Sequence, residues 1–128
     1  MKGKLARLSF LLLLILGLTA CSAVSGLSTS KHTADTFMQA LKEKDAETSW
    51  NLLTPDLQAE FGGQAAWTDF AAIRNFDTWK FTSTNVSGDQ AQVDGEASIQ
   101  NDTYTITLIM DAAGDDWQVS GIDIESKE

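Results

Sequence analysis

The hydrophobic pattern of this chain changes character three times. Residues 8 to 20 are uncharged and mostly Leu, preceded by Lys2, Lys4 and Arg7 and ended by small residues. A polar stretch follows, and then apolar residues recur at helical spacing. Ala34, Phe37, Met38 and Leu41 share one helical face, with Lys42, Glu43 and Lys44 at its wet end, which predicts a helix capped by Thr33. Asp45 is placed to cap a second helix carrying Ala46, Trp50 and Leu53. Thr54-Pro55-Asp56 offers a capping hydroxyl, a proline at the first helical position and an acid in the first turn. The third helix that follows holds Leu57 and Phe61 and stops at Gly62-Gly63. A fourth is predicted from about Gln64 to Asn75, offering Ala66, Trp67, Phe70, Ala71 and Ile73.

After Asp77 the period becomes two. Trp79 and Phe81 alternate with Lys80 and Thr82, and a turn is expected at Ser87-Gly88-Asp89. Ala91, Val93, Gly95, Ala97 and Ile99 then alternate with polar residues up to a turn at Asn101-Asp102. Tyr104, Ile106, Leu108 and Met110 form the next apolar row, and Ala112-Ala113-Gly114-Asp115 turns into Trp117-Gln118-Val119. At Gly121 the phase flips so that Ile122 and Ile124 rejoin the apolar set, which predicts a bulge there. Four strands joined by short turns make an antiparallel meander with one apolar face. The expected fold class is therefore α+β: N-terminal helices packed on the concave face of a curved four-stranded antiparallel sheet.

Charge narrows the partners. Without Lys2, Lys4 and Arg7, the nine basic residues become six against eighteen acids, a formal charge of −12. Such a surface repels phosphate backbones, so nucleic acid is excluded as the expected partner. From Thr33 onward 96 residues remain, enough for one core.

The basic start, short apolar run and small residues read as an export signal over residues 1–20. The run is shorter than the about 20 apolar residues of a spanning helix. Cys21 is the one cysteine, directly behind Leu18-Thr19-Ala20. Leu-Thr-Ala-Cys in that position resembles the lipobox of bacterial lipoproteins. The resemblance implies diacylation of the Cys21 sulfur, palmitate among the chains, and attachment to the cell membrane or outer membrane, facing periplasm or exterior. Ser22 to His32 is rich in small polar residues, so residues 21–32 are expected to form a lipidated cysteine and flexible tether. The domain is expected over 33–128.

Ala34 to Leu53, from Ala-Asp-Thr-Phe-Met-Gln-Ala-Leu-Lys-Glu-Lys-Asp to Trp-Asn-Leu-Leu-Thr-Pro, resembles the opening of nuclear-transport-factor-2-like domains. Asp115-Asp116-Trp117-Gln118-Val119-Ser120-Gly121-Ile122 is similar to their last strand. That superfamily contains non-catalytic binding and accessory domains as well as ketosteroid-isomerase-like enzymes and dehydratases. The enzymes place a carboxylate and oxyanion donors inside the cone between helices and sheet. Here Asp94, Glu96 and Asp123 fall on the polar phase of their strands. Asp69 points away from Phe70, and Asp35 and Asp45 are explained as helix-start residues. Tyr104 alone is in phase with the core, so no catalytic residue is expected, and a non-enzymatic domain is the leading reading.

His32, the single histidine, lies in the expected tether without ligand partners, so neither a metal nor another cofactor is expected. Asp111, Asp115 and Asp116 read as solvated turn acids. The remaining candidates are aromatic. A subset is expected to line an apolar pocket for a small ligand or a partner protein of the envelope, with Trp67 and Phe70 at its rim and Trp50 and Tyr104 as further lining. Gln92, Asp94, Glu96, Ser98, Thr103, Thr105 and Thr107 occupy the outer sheet face. Like acids meeting there would disfavour a sheet-to-sheet dimer, so a monomer is expected.

Overall fold

The computed structural model describes residues 27–127. The expected leader 1–20, Cys21 and the first residues of the expected tether lie outside them. Helix α1 covers 27–42 of the described chain, α2 Ala46–Asn51, α3 Pro55–Phe61 and α4 Gln64–Ala72. Strands β1 Thr78–Ser87, β2 Gln90–Ile99, β3 Asp102–Ala113 and β4 Asp116–Ser126 follow as an antiparallel meander in sequence order. The expected class is the observed one.

Helix α1 corrects the boundary placed at Thr33. The chain is already helical at Leu27, and Thr33 lies inside the helix, its hydroxyl donating to the Thr29 carbonyl at 3.0 Å. Ser30 and Thr36 likewise return their hydroxyls to the carbonyls of Leu27 and His32. Small hydroxyl residues satisfied in this way tolerate a helix that their composition does not announce. Tertiary contact supplies the rest: Ser30 is buried, and Thr29 accepts the Trp117 indole N–H at 3.0 Å. The buried stripe is Ser30, Ala34, Phe37, Met38 and Leu41, the i, i+3/i+4 rows of one face.

The next two helices begin where the sequence places them. Asp45 accepts from the Thr48 hydroxyl at 2.7 Å and from the Thr48 backbone N–H at 3.1 Å. These two bonds, the hydroxyl first, hold the Asp45 carboxyl below its ordinary pKa. A lowered folded-state value means that the cap stabilises above the unfolded pKa and fades as pH falls through the folded one. Thr54 accepts from Leu57 N–H at 3.2 Å, and Gly62 closes α3 in left-handed backbone at φ 83°. Helix α4 ends at Ala72, short of the expected Asn75. It buries Trp67 and Ala71, whereas Ala66 is exposed and Ile73, just past the helix, keeps 69% of its surface in solvent.

Two bulges shape the sheet. On β4, Met110 pairs with Val119 and Ile109 with Gly121, which leaves Ser120 as the extra residue beside the expected glycine. On β1, Phe81 pairs with Gly95 and Ser83 with Asp94, which leaves Thr82 unpaired. The apolar row Ala91, Val93, Ala97, Ile106, Leu108 and Met110 faces the helices and shares one buried cluster with Phe37, Met38, Leu41 and Trp67. Burial of each large side chain in it stabilises by roughly 1.5–3 kcal/mol. Residues 52–54 close part of the open edge of β4: Val119 N–H donates to Leu52 O at 2.7 Å, and Thr54 N–H to Val119 O at 2.9 Å.

Gly95 is where β1 comes closest. A Cβ there would sit 2.1 Å from the Lys80 carbonyl oxygen and 2.7 Å from Phe81 Cα. Gly95→Ala is therefore expected to cost about 3 kcal/mol or more, the upper end of overpacking. For a domain of this size that lowers the Tm by roughly 12–24 °C. Thermal unfolding with a Tm within about 3 °C of the parent would contradict the close approach.

Candidate functional site

Four aromatic rings meet under α3 and α4. Trp67 stacks on Phe70 with centroids 5.2 Å apart, Phe61 meets Trp67 edge-on at 4.9 Å, and Phe37 from α1 lies 5.9 Å from Trp67. Spacing along α4 explains the arrangement, since Trp67 and Ala71 point inward one turn apart while Phe70 falls to the side. Trp67 is fully buried, so it forms the floor of this region and not its rim. Its indole N–H donates to the Ser49 hydroxyl oxygen at 2.8 Å. Ser49 is itself fully buried and lies within reach of the carbonyls of Ala46 and Asp45, 3.1 and 3.3 Å away.

Above this floor, Leu57, Glu60, Phe61, Phe70 and Ile122 line a depression of about 280 Å³. Phe70 and Phe61 are half-buried there, and the Arg74 guanidinium carbon lies 3.8 Å from the centre of the Phe70 ring. That cation–π contact and the Arg74 bond to Phe70 O at 3.1 Å hold the end of α4 against its own aromatic. Walls of Leu, Ile and Phe with one carboxylate at the edge suit an apolar molecule or an apolar side chain of a partner.

The other two sequence candidates do not line the depression. Trp50 is half-buried on α2, where its carbonyl accepts from the Gln58 side chain at 2.9 Å. Tyr104 is half-buried beside Phe76, ring centroids 6.1 Å apart. It sits four residues along β3 from Leu108, the strand partner of Ile122, about 14 Å at strand rise. The fold thus brings together Trp67 and Phe70, adds Phe61, Leu57 and Ile122, and leaves Tyr104 at a distance.

Among the described residues, the buried polar side chains are Ser30, Ser49 and Thr54, all hydroxyls with hydrogen-bond partners. The carboxylates take other partners. Asp35 is in the interior of α1 and not at its start, as the sequence had suggested; it accepts the Trp79 indole N–H at 3.1 Å. Asp94 accepts from Thr107 at 2.7 Å and from Gln92, and Asp111 accepts from Ser120 at 3.1 Å. His32, placed in the tether by the sequence, is exposed on α1. Among the described residues, no group of three or more His, Cys, Asp or Glu is arranged to hold a metal ion. No described helix is long and apolar enough to cross a membrane.

Sequence reasoning missed Ser49 and Phe76. Phe76 is fully buried but stands in the aperiodic link from α4 to β1, where no spacing marks it. Ser49 had a signal only in hindsight of its partner: it lies one turn from Ala46 on α2, whereas Leu53, expected on that helix, lies beyond its end and pairs with Val119.

No protein-family model and no curated protein matches the chain. Solved structures do. A DUF4783 family protein from Bacteroides uniformis superposes with a TM-score of 0.55 at 11% identity, covering 73% of this chain and 96% of its own. A de novo designed protein with a curved β-sheet gives 0.55 at 14% identity, covering 75% and 98%. A ketosteroid isomerase-like protein from Kribbella flavida gives 0.52 at 15%, covering 80% of each chain. At these identities the agreement is one of fold, helices on a curved antiparallel sheet, consistent with the nuclear-transport-factor-2-like architecture.

The buried Trp67–Ser49 bond makes a direct prediction. Ser49→Ala removes the acceptor and strands the indole N–H, at a cost of about 1–3 kcal/mol. Urea denaturation should show a lower midpoint with an unchanged slope. An unshifted midpoint would mean that α2 and α4 do not meet through this pair.

Proposed function

We propose that the chain is a lipid-anchored envelope protein whose domain is a non-catalytic binding or accessory module. The observation that carries the address is Leu18-Thr19-Ala20-Cys21 at the end of a basic-then-apolar leader. A diacylglyceryl group on Cys21 supplies two acyl chains at one residue, and each buried methylene is worth about 0.8 kcal/mol. Stable attachment then needs no basic patch, in keeping with the −12 formal charge that remains. Because α1 is already helical at Leu27, at most six residue steps separate it from Cys21, a reach of about 20 Å. The domain is held close to the bilayer on that reading.

Binding is assigned to the depression between α3, α4 and β4. Support comes from its apolar lining and from buried polar groups that are hydroxyls already bonded inside the fold. A carboxylate base facing the cone would favour the isomerase or dehydratase alternative, and no described acid is buried there. The occupant is a small apolar ligand or an apolar side chain of an envelope partner.

Two measurements test the reading together. Cells given a radiolabelled fatty acid should label the native chain and not Cys21→Ala, which should leave the membrane fraction. A photo-crosslinking amino acid at Phe70 should capture an envelope partner or ligand that the same group at Thr105, on the outer sheet face, does not. An unlabelled native chain that retains Met1 would overturn the address, and equal capture at both positions would overturn the site.

A further inference from the structure

The two edges of the sheet are treated differently. At β4, residues 52–54 bond to Val119, and farther along the strand carries Asp123 and Glu125. Covering segments and edge charges are the usual ways to keep a foreign strand away. The β1 edge carries one exposed lysine, Lys80, near its start and few such devices beyond it. Among the described residues β1 pairs with β2 alone, and no other backbone hydrogen bond reaches residues 78–87. From Phe81 to Ser87 it reads Phe-Thr-Ser-Thr-Asn-Val-Ser, with no proline and no ionisable side chain. The bulge at Thr82 interrupts the pairing once, and five consecutive paired residues, Ser83 to Ser87, follow it.

We propose that the outer edge of β1 is a docking strand, and that its occupant is an extended basic segment of a partner protein, added as a fifth strand. The site is separate from the α3–α4 depression, and the inference does not depend on the function assigned to that depression. Backbone groups along Ser83–Ser87 give the affinity of strand addition, and side chains at alternate positions give its selectivity. Charge chooses the partner. Asp94 lies opposite Ser83 on the next strand, and Asp77 and Asp89 flank the two ends of β1. A Lys or Arg on a fifth strand would lie about 10 Å from Asp94 before its side chain bends, across short uncharged residues. That is about one Debye length at 0.1 M salt. A second copy of this chain would bring its own acid excess to the same edge and is disfavoured.

Placement also suits an anchored protein. Thr29, near the start of the described α1, bonds to Trp117 on β4, three strands from β1. The described chain therefore begins on the side of the opposite edge, about 14 Å from β1 across the sheet.

The test uses the full chain in detergent with a synthetic peptide alternating Lys and Val. Amide hydrogen exchange should slow by about tenfold or more at alternate residues of 83–87. A peptide alternating Glu and Val should give no protection, and raising salt from about 50 to about 500 mM should weaken binding. Thr84→Pro should abolish the protection. Should that variant fail to fold, Asn85→Lys places a like charge on the edge and should weaken the Lys-Val peptide at least about tenfold with an unchanged circular dichroism spectrum. Several results would overturn the proposal: no protection on β1, protection only around Phe61 and Phe70, equal binding of a Lys-Pro peptide of the same charge, or sedimentation as a dimer with β1 protected before any peptide is added.

Discussion

Two indole N–H groups hold α1 across the sheet. Trp117 on β4 donates to Thr29, and Trp79 on β1 donates to Asp35, six residues later on the same helix. The two strands are the opposite edges of the sheet, so a single helix is tied at both sides of the concave surface. From Ala34 onward the same helix sends Phe37, Met38 and Leu41 into the buried cluster with Val93, Ile106, Leu108 and Met110. The bonds orient, and this apolar burial supplies most of the stabilisation. A third indole, Trp67, does the same job for the outer helices by joining α4 to α2 through Ser49.

Concavity is what makes this possible, and it comes from the outer strands. Extra residues at Thr82 and Ser120 bend β1 and β4, and Gly95 lets the β1 backbone approach where any side chain would collide. Large aromatics, Phe37, Trp67 and Phe76 among them, then fill the space between helices and sheet. The depression lies outward of this, in the shallow region where Phe61 and Phe70 emerge beside Ile122. Arg74 over Phe70 sets one border of that region and keeps the exposed end of α4 in place.

Much of this was legible in the sequence because period-two alternation and turn chemistry are local. Ala91 to Ile99 alternate without interruption, and Thr54-Pro55 and Gly62 mark the ends of α3 by backbone requirements that no distant contact alters. Ser120 beside Gly121 was readable as a phase flip. The Thr82 bulge left a fainter signal, since the apolar set passes from Phe81 to Val86 in an odd step of five across four polar residues that do not show where the extra residue sits. Residues 27–32 misled for a related reason. Their composition is that of a linker, and their helicity depends on Trp117 and on burial of Ser30, which lie far apart in sequence. Trp67 was recognised as important but assigned to a rim, because helical periodicity gives a face and not a depth.

Three of the four tryptophans, Trp67, Trp79 and Trp117, are structural ties with engaged N–H groups, while among the described residues the Trp50 indole has no such bond. Nitrogen-15-resolved NMR of the indole N–H protons in deuterated water reads this directly. The account predicts slow exchange for Trp67, Trp79 and Trp117 and fast exchange for Trp50. Fast exchange at Trp79 and Trp117 in the folded protein would mean that α1 is not held at the two sheet edges, and the architecture built on it would be wrong.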